Sequence, residues 1–268
     1  MPLQFCPLYS SSQGNSVYVG TSRTRILVDA GKSGKSIESA LRLIHVAPET
    51  IGGIFITHEH IDHIMGVGIL ARRYNLPVYI CEKTYLASRE KLGALPDGTL
   101  RLIEPFTPLT LGDLTVTPFA IPHDAAQPVG FRFEAGAASA VVATDIGNVN
   151  DKWMRFARGA SLALLESNHN VEMLKRNPNY SPALKKRILS QHGHLSNEDS
   201  TSALVSLVGD GLKTVVLGHL SPENNTPELA YQCATEALKN AGYQTGSQIR
   251  VELSYRDHPG RLYTLDER

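Results

Sequence analysis

A cluster of metal-binding side chains directly follows an apolar, strand-like stretch of this chain. The cluster lies in Thr57-His58-Glu59-His60-Ile61-Asp62-His63, immediately after Ile54-Phe55-Ile56. Three histidines and one aspartate therefore fall within six positions. Imidazole nitrogens and carboxylate oxygens are common ligands of divalent cations. Because β-branched and aromatic residues favour a buried strand, we expect a metal-binding cluster at a strand end.

The spacing within this cluster favours two metal ions over one. His58 and His60 are two residues apart, so on an extended strand end their side chains point to the same side. Asp62 and His63 follow where the chain begins to turn, so they can face a second point nearby. A single histidine is usually a surface or core residue, but four candidate ligands this close together favour a metal site.

The overall composition is that of a soluble globular protein. Apolar residues make up 42% of the 268 residues and charged residues 19%. Lys plus Arg and Asp plus Glu number 26 each, so a nucleic-acid-binding role requires a local basic face. The length allows one large domain or two small ones. Because no repeat, low-complexity tract or linker divides the chain, we predict a single domain over residues 1–268.

The cysteines and the apolar segments bear on the compartment. Cys6, Cys81 and Cys233 lie far apart and form no C-x-x-C pair, and their odd number argues against a disulfide framework. We therefore predict reduced, buried thiols. We identify no secretory signal at the N-terminus and no apolar run approaching the roughly 18 residues of a membrane span. The sequence predicts a soluble, cytoplasmic protein with no membrane association.

Apolar runs of strand length alternate with helical patterns along the chain. The strand-like runs are 17–19, 25–28, 53–56, 78–80, 114–121, 129–133, 139–143, 162–165, 214–217 and 249–253. The helical patterns are 36–46, 64–74, 84–92, 197–208 and 227–241, with Ser196 or Asn197 as the cap of the fourth and Thr226-Pro227 starting the fifth. This order predicts an α/β protein with two sheets packed together and helices outside, a four-layer αββα sandwich.

Three further candidate ligands follow predicted strands. They are His123, Asp145 and His219, and loops at strand ends often carry function. Asp145 alone is equally consistent with a turn residue or a helix cap. As a set, the three side chains complete two metal shells, with Asp145 bridging the ions. The first shell is His58, His60, His123 and Asp145; the second is Asp62, His63, Asp145 and His219.

The order H-x-H-x-D-H, then His, Asp and His, resembles the metallo-β-lactamase superfamily. The resemblance extends from about residue 3 to 255 and implies the αββα fold of that superfamily with a dinuclear metal site at one edge of the two sheets. The implied cofactors are two divalent ions, and a His-rich dinuclear site accepts zinc, manganese or iron.

Five short segments narrow the resemblance to the YycJ/WalJ-like nucleases of this superfamily. They are Gly14-Asn15-Ser16, His123-Asp124-Ala125, Thr144-Asp145-Ile146-Gly147, Glu166-Ser167-Asn168-His169 and His192-Gly193-His194-Leu195-Ser196. The subgroup implies an exonuclease acting on DNA 5′ ends, so nucleic acid, with DNA favoured, is the expected partner. Oligomeric state stays open.

The site is also similar to that of tRNA 3′-processing endonucleases, the RNase Z group. In that group a Glu at the Glu166 position orients a His at the His194 position. As a mechanism, we expect that a hydroxide bridging two metal ions attacks the phosphorus and that His194, held by Glu166, protonates the leaving oxygen. We also expect Asp62 to be both a ligand and a proton acceptor. We find no inserted tRNA-gripping arm, and the chain between Asp145 and His219 is too short for the extra domain of β-CASP nucleases.

Several polar residues are candidates for substrate contact or for supporting a ligand. They are Ser12 and Asn15 in the loop 10–16, together with His169 and His192. The loop is equally consistent with an anion site and with a simple hairpin turn. The basic segment 185–187 is equally consistent with a DNA contact and with a solvated helix face, whereas a solvated face is favoured for Arg72-Arg73. We expect His45 and His258 to be ordinary surface residues.

Other functions of the same fold stay open at this point. They are an RNase Z-like RNA nuclease, a small-molecule phosphodiesterase, a thiolester hydrolase and a non-enzymatic nucleic-acid scaffold with a vestigial site. The neutral net charge slightly favours a small substrate. The His194–Glu166 pair favours phosphodiesters over thiolesters, and the full ligand set argues against a vestigial site.

Overall fold

A computed structural model describes residues 2–266 of the chain. Its strands are β1 Leu3–Tyr9, β2 Ser16–Gly20, β3 Arg25–Val28, β4 Ile54–Phe55, β5 Val78–Cys81, β6 Leu100–Ile103, β7 Leu109–Leu111, β8 Leu114–Ala120, β9 Val129–Ala135, β10 Ala138–Ala143, β11 Leu162–Glu166, β12 Thr214–Gly218, β13 Arg250–Leu253 and β14 Tyr263–Leu265. Its α-helices are α1 Gly34–Leu43, α2 Ile61–Ile64, α3 Val67–Tyr74, α4 Glu82–Leu92, α5 Asp151–Ala157, α6 Val171–Arg176, α7 Pro182–Ile188, α8 Asn197–Gly209 and α9 Pro227–Asn240.

The chain divides into two compact units. Unit 1 comprises Met1–Ala120, Ala125–Ser139 and Tyr255–Arg268, and unit 2 comprises Ile121–Asp124 and Ala140–Ser254. The assignment of residues 1–268 to a single domain stays a prediction. Within the described part of the chain, no helix combines the length and the hydropathy that crossing a bilayer requires.

The sheet of unit 1 has the strand order β14-β1-β2-β3-β4-β5-β6. Strands β14, β1, β2 and β3 pair antiparallel, whereas β3 to β6 pair parallel, and helices α1 to α4 lie in the connections between these parallel strands. Val28 of β3 is in register with Phe55 of β4. The residues that follow these two strands therefore emerge side by side at one edge of the sheet.

Apolar side chains from the strands and helices of unit 1 form a common core. Ile54 and Val78 from the parallel strands pack in one cluster with Ile37 and Leu41 of α1 and Leu70 of α3. Helix α1 begins at the cap Ser33, whose hydroxyl accepts from the Ser36 N–H at 3.2 Å. The helix then places Ile37 and Leu41, four residues apart, on one buried face.

The helical pattern over 64–74 is interrupted in the structure. Helix α2 ends at Ile64 and α3 begins at Val67, so the prediction of one continuous helix is wrong. The backbone oxygen of Lys32 would lie 2.3 Å from a Cβ at Gly66. Only glycine accepts this contact, which brings a distant segment against the junction between the two helices.

Unit 1 also contains the antiparallel ribbon β7-β8-β9, and unit 2 is built on the parallel strands β10-β11-β12-β13. The register aligns Ala143, Leu165, Leu217 and Leu253. Because the carboxyl ends of these strands coincide, the loops that follow them begin at the same edge. All ten predicted strands are confirmed, and so are four of the five predicted helical regions, whereas the region 64–74 contains the break before α3. Ser196 and Thr226 are the caps of α8 and α9.

Candidate metal-binding clusters

The loop after β4 brings together the four candidate ligands of unit 1. His58 Nε2 lies 3.0 Å from His60 Nδ1, so these two ring nitrogens face the same point. His60 is the cap of α2, where the chain turns, and Asp62 and His63 lie in that helix. Asp62 Oδ2 lies 3.6 Å from His63 Nε2. The sequence spacing thus produces two adjacent ligand pairs.

Asp29, directly after β3, fixes one of these histidines. Its Oδ2 accepts from His63 Nδ1 and from the Thr57 hydroxyl, each at 2.7 Å, and its Oδ1 accepts from the Thr57 N–H at 2.9 Å. Burial raises the pKa of Asp29, and the His63 and Thr57 interactions counteract that rise. Because Nδ1 of His63 is held by Asp29, its Nε2 is directed towards Asp62 and is suited to a metal.

Asn15 contacts the same ligand pair from the loop between β1 and β2. Its side-chain Nδ2 lies 3.0 Å from His63 Nε2 and 3.4 Å from Asp62 Oδ2. Its backbone N–H donates to the Asp62 carbonyl at 2.8 Å. Asn15 therefore supports the position of both ligands and reaches the atoms that would bind a metal.

The remaining N–H groups of this loop are used mostly within the loop. Ser11 N–H donates to Asn15 Oδ1, Gln13 N–H donates to Ser11 Oγ, and Gly14 N–H donates to the Ser11 carbonyl, at 3.0 to 3.2 Å. These bonds favour the hairpin-turn interpretation of loop 10–16 over an anion site formed by its backbone. Ser12 lies exposed at the tip.

In unit 2, Asp145 lies close to two candidate ligands. Its Oδ1 lies 3.5 Å from His219 Nε2 and 3.8 Å from His123 Nε2. His123 Nδ1 lies 3.1 Å from the Gly193 carbonyl, and burial lowers the pKa of His123, which favours the neutral imidazole that binds metals. Asp145 and His219 have φ of 60° and 55°, a conformation that is uncommon outside glycine and is concentrated at functional sites.

Glu166, the last residue of β11, joins the histidines of unit 2. Its Oε1 accepts from His194 Nδ1 and His219 Nδ1, each at 2.8 Å. Its Oε2 accepts from the N–H groups of Ile146 at 2.7 Å and Leu195 at 3.1 Å. Burial opposes ionisation of this carboxyl, but the two histidines outweigh burial and hold the pKa of Glu166 well below its usual range.

The two nitrogens of each imidazole have different roles in this arrangement. Because Glu166 is an ionised acceptor, Nδ1 of both His194 and His219 carries the hydrogen and Nε2 of each ring is left to act elsewhere. His219 is buried and its Nε2 faces Asp145, whereas the His194 side chain is 20% exposed. His219 therefore suits a metal, and His194 is open to a substrate.

The donor chemistry of both clusters fits divalent metal ions. In unit 2, one ligand atom each from Asp145, Glu166, His194 and His219 lies within 4.8 Å of the others. The cluster of unit 1 supplies three imidazoles and a carboxylate. Mixed nitrogen and oxygen donors of this kind suit zinc, manganese or iron.

The other predicted residues occupy different environments. His169 is buried beside the start of α8 and pairs with Ser196 in an isolated bridge, and burial lowers its pKa to about 4. His192 is exposed. On α7, Arg187 forms an ion pair with Asp124.

Arg72-Arg73 and the two remaining histidines lie at the surface of unit 1. Arg73 pairs with Glu38, and Arg72 donates to the Leu92 carbonyl at 3.0 Å. His45 is exposed and immediately follows the C-cap of α1 rather than lying within the helix, and His258 is exposed against Tyr255. These positions agree with the surface roles expected for them.

Comparison with known proteins identifies the family. Residues 24–220, more than half of the chain, match the model of the beta-lactamase superfamily domain. The chain is 39% identical over 251 residues to exodeoxyribonuclease YycJ of Bacillus anthracis, covering 94% of this chain and 95% of that protein. It is 43% identical over 246 residues to exodeoxyribonuclease WalJ of Streptococcus pneumoniae serotype 2, covering 91% of each. The chain belongs to the YycJ/WalJ-like group of the metallo-β-lactamase superfamily.

Solved structures confirm the fold of this superfamily. The metallo-β-lactamase fold protein YhfI from Bacillus subtilis matches with a TM-score of 0.73 at 17% identity, covering 98% of this chain and 100% of YhfI. Unliganded yeast PDE1 matches with a TM-score of 0.71 at 14% identity, covering 98% and 100%. The predicted four-layer αββα sandwich of the metallo-β-lactamase fold is therefore confirmed.

Proposed function

We propose that this chain is a metal-dependent phosphodiester hydrolase that removes nucleotides from DNA 5′ ends. The names of its relatives YycJ and WalJ support an exodeoxyribonuclease, and the similarity to each extends over more than nine-tenths of the chain. The observation that carries the proposal is the Glu166 carboxylate held between His194 and His219. It couples a candidate metal ligand to a candidate proton donor, and phosphodiester hydrolysis needs both.

The proposed metal ligands are the seven residues expected from the sequence. They are His58, His60, Asp62 and His63 of unit 1 and His123, Asp145 and His219 of unit 2. Zinc, manganese and iron all fit this donor set. When bound, two such cations lower the pKa of a water molecule and neutralise charge on the phosphate oxygens.

Glu166 and His194 supply the proton for the leaving group in this proposal. Glu166 stays ionised and holds the His194 ring at 2.8 Å, so the exposed face of His194 is preset towards a substrate. The leaving alkoxide takes a proton from the imidazolium, which the neighbouring carboxylate stabilises. Glu166 is thus a positioning residue and His194 the catalytic acid.

Asp62 accepts the proton released by the attacking water. Its carboxylate is half-buried, and Asn15 Nδ2 lies 3.4 Å from its Oδ2. We propose Ser12, His169 and His192 as further substrate contacts or ligand supports. The exposure of Ser12 and His192 suits a substrate contact, whereas the burial of His169 suits a supporting role.

We also propose that the protein acts in a reducing, cytoplasmic compartment. Cys6, Cys81 and Cys233 are free, and burial raises the pKa of Cys6 and Cys81 to about 12. Such thiols stay protonated and unreactive at neutral pH.

Digestion of a linear DNA duplex labelled at either end tests the function. With manganese or zinc supplied, the proposal predicts early release of the 5′ label in short products, while the 3′ label stays on long fragments. RNA cleavage with intact DNA would instead favour an RNase Z-like nuclease. Hydrolysis of bis-(p-nitrophenyl) phosphate alone would favour a small-molecule phosphodiesterase, and hydrolysis of a thiolester alone a glyoxalase-like enzyme. Binding of DNA without hydrolysis under any metal would favour the scaffold hypothesis.

A further inference from the structure

A polar pocket of about 510 Å³ lies in unit 1, beside the loop that carries Asn15. Three chain segments form it: the end of β1 with the loop that follows, the first turn of α1 with the residues just before it, and the turn after β13. Its lining residues are Tyr9, Gln13, Lys32, Ser36, Arg256 and Asp257. The volume falls in the range of pockets that hold small molecules, about 300–1,000 Å³.

Two cations of this pocket are available to a ligand. The Lys32 stem lies against Gly14, where a Cβ would come within 2.6 Å of it, and Lys32 Nζ lies 5.9 Å from the centre of the Tyr9 ring. Neither Lys32 nor Arg256 forms an ion pair with a residue that the structure describes. The one carboxylate of the lining, Asp257, lies 3.8 Å from His258 Nε2.

The polypeptide that forms the pocket wall also contacts the proposed metal ligand Asp62. Gly31, just before Lys32, lies so close to the Asp62 carbonyl oxygen that a Cβ would come within 1.6 Å of it. Gly31 N–H donates to the Asn15 carbonyl, and Asn15 N–H donates to the Asp62 carbonyl, each at 2.8 Å. The backbone of Lys32 is therefore fixed beside the candidate ligand cluster of unit 1.

We propose that this pocket holds one nucleotide unit of the substrate strand, with its phosphate against Lys32 and Arg256. This inference rests on the proposed function, because it assigns the pocket to the same substrate. Lys and Arg are the side chains that neutralise nucleic-acid phosphates, and the Gln13 amide adds a donor at the rim. Phosphate recognition by two local cations also explains how a chain with 26 basic and 26 acidic residues engages a polyanion.

Single and double substitutions, Lys32→Ala and Arg256→Ala, test the pocket with manganese-loaded protein. On a single strand of about twelve nucleotides, we expect each single change to raise KM about tenfold with little change in kcat. The slope of log Kd against log salt concentration should fall by about one per cation removed. The loss of kcat/KM on the strand should exceed the loss on bis-(p-nitrophenyl) phosphate, because that small diester cannot span the site and the pocket together.

Two further variants keep the test local. Lys35→Ala removes an exposed lysine of α1 that does not line the pocket, so it should change KM far less than Lys32→Ala. Lys32→Arg retains the charge and should restore the salt slope. An equal increase in KM in Lys35→Ala and Lys32→Ala would show that only the overall positive charge matters, and it would overturn the proposal. Wild-type KM and salt dependence in the Lys32→Ala/Arg256→Ala protein would overturn it as well.

Binding measured without cleavage separates this proposal from the proposed function. Fluorescence anisotropy of a labelled strand gives Kd whether or not the protein hydrolyses it. If the wild-type protein cleaves no DNA but the pocket variants bind the strand more weakly than wild type does, the pocket proposal is supported and the exonuclease proposal is contradicted. Cleavage by wild type with unchanged binding by the pocket variants would support the exonuclease and contradict the pocket.

Discussion

The two candidate ligand clusters are supported in different ways. In unit 1 the ligands His58 to His63 are neighbours in sequence, and separate residues hold them: Asp29 holds His63, and Asn15 bonds to Asp62 and His63. In unit 2 the ligands follow different strands, and the single carboxylate of Glu166 holds both His194 and His219. The ligands of the local loop are held by different hydrogen-bonding residues, whereas the two histidines from distant segments are held by the same carboxylate.

This difference has a consequence for substitutions. Loss of Asp29 removes a direct hydrogen-bond partner of one ring, that of His63, whereas loss of Glu166 removes the partner of a candidate metal ligand and of the candidate acid together. Of the two carboxylates Glu166 and Asp29, Glu166 makes more hydrogen bonds. It accepts two from imidazoles and two from backbone N–H groups while fully buried. The effects of substitution should therefore be larger in unit 2 than in unit 1.

Asp145→Ala should have the largest effect of all. The proposal gives this carboxylate a bridging role, so its removal leaves at most about one metal per chain and activity near the metal-free background. Elemental analysis after reconstitution with manganese measures the metal content. A full metal complement in this variant would refute the bridging assignment.

Glu166→Gln should come next, with kcat on DNA falling about 10³-fold or more because proton transfer and ligand orientation are lost together. The amide keeps the size of the side chain but cannot accept from both imidazoles as a carboxylate does. The matched control is Glu172→Gln, which changes an exposed glutamate of α6 and should leave activity unaltered. Equal activity of the two variants would remove Glu166 from the mechanism.

His194→Ala should lower kcat about 10²- to 10³-fold while both metals stay bound, because it removes the acid without removing a proposed ligand. Single-turnover kinetics on an end-labelled duplex measures the chemical step, and elemental analysis confirms the metals. The loss should shrink on bis-(p-nitrophenyl) phosphate, whose nitrophenolate leaves without a proton. Near-normal rates on DNA would reject the role of His194.

Asp29→Asn should have the smallest effect, about a 10- to 100-fold loss of metal affinity. The amide presents an N–H group where His63 Nδ1 needs an acceptor, so the ring loses its fixed orientation. Titration of the metal-free protein with zinc under a competing chelator gives the affinity. A loss of zinc affinity in Asp29→Asn larger than that in Glu166→Gln, measured by the same titration, would contradict the expected difference between the two clusters.

The contiguous part of the candidate site could be predicted from the sequence, and the distant part only incompletely. The spacing from His58 to His63 alone predicts two ligand pairs, and the strand-end argument adds His123, Asp145 and His219. The same argument applied to 25–28 would have found Asp29, but an aspartate followed by Ala30 and Gly31 is also typical of a turn. The pairing of Glu166 with His194 came from the family resemblance, since 28 residues separate them.

The missed parts of the fold also have physical causes. Strand β6 exposes Arg101 and Leu102, so its burial pattern lacks the apolar run that marks a strand. Helices α5, α6 and α7 have six or seven residues, about two turns, which is too short for a helical period to stand out. The break before α3 depends on the Lys32 backbone packing against Gly66, which no local pattern reveals.

Anomalous diffraction from crystals of the manganese-loaded protein tests the central claim most directly. The proposal predicts two anomalous peaks, with ligands drawn from the seven proposed residues His58, His60, Asp62, His63, His123, Asp145 and His219. Empty clusters at saturating manganese, or one ion bound in one cluster only, would contradict it.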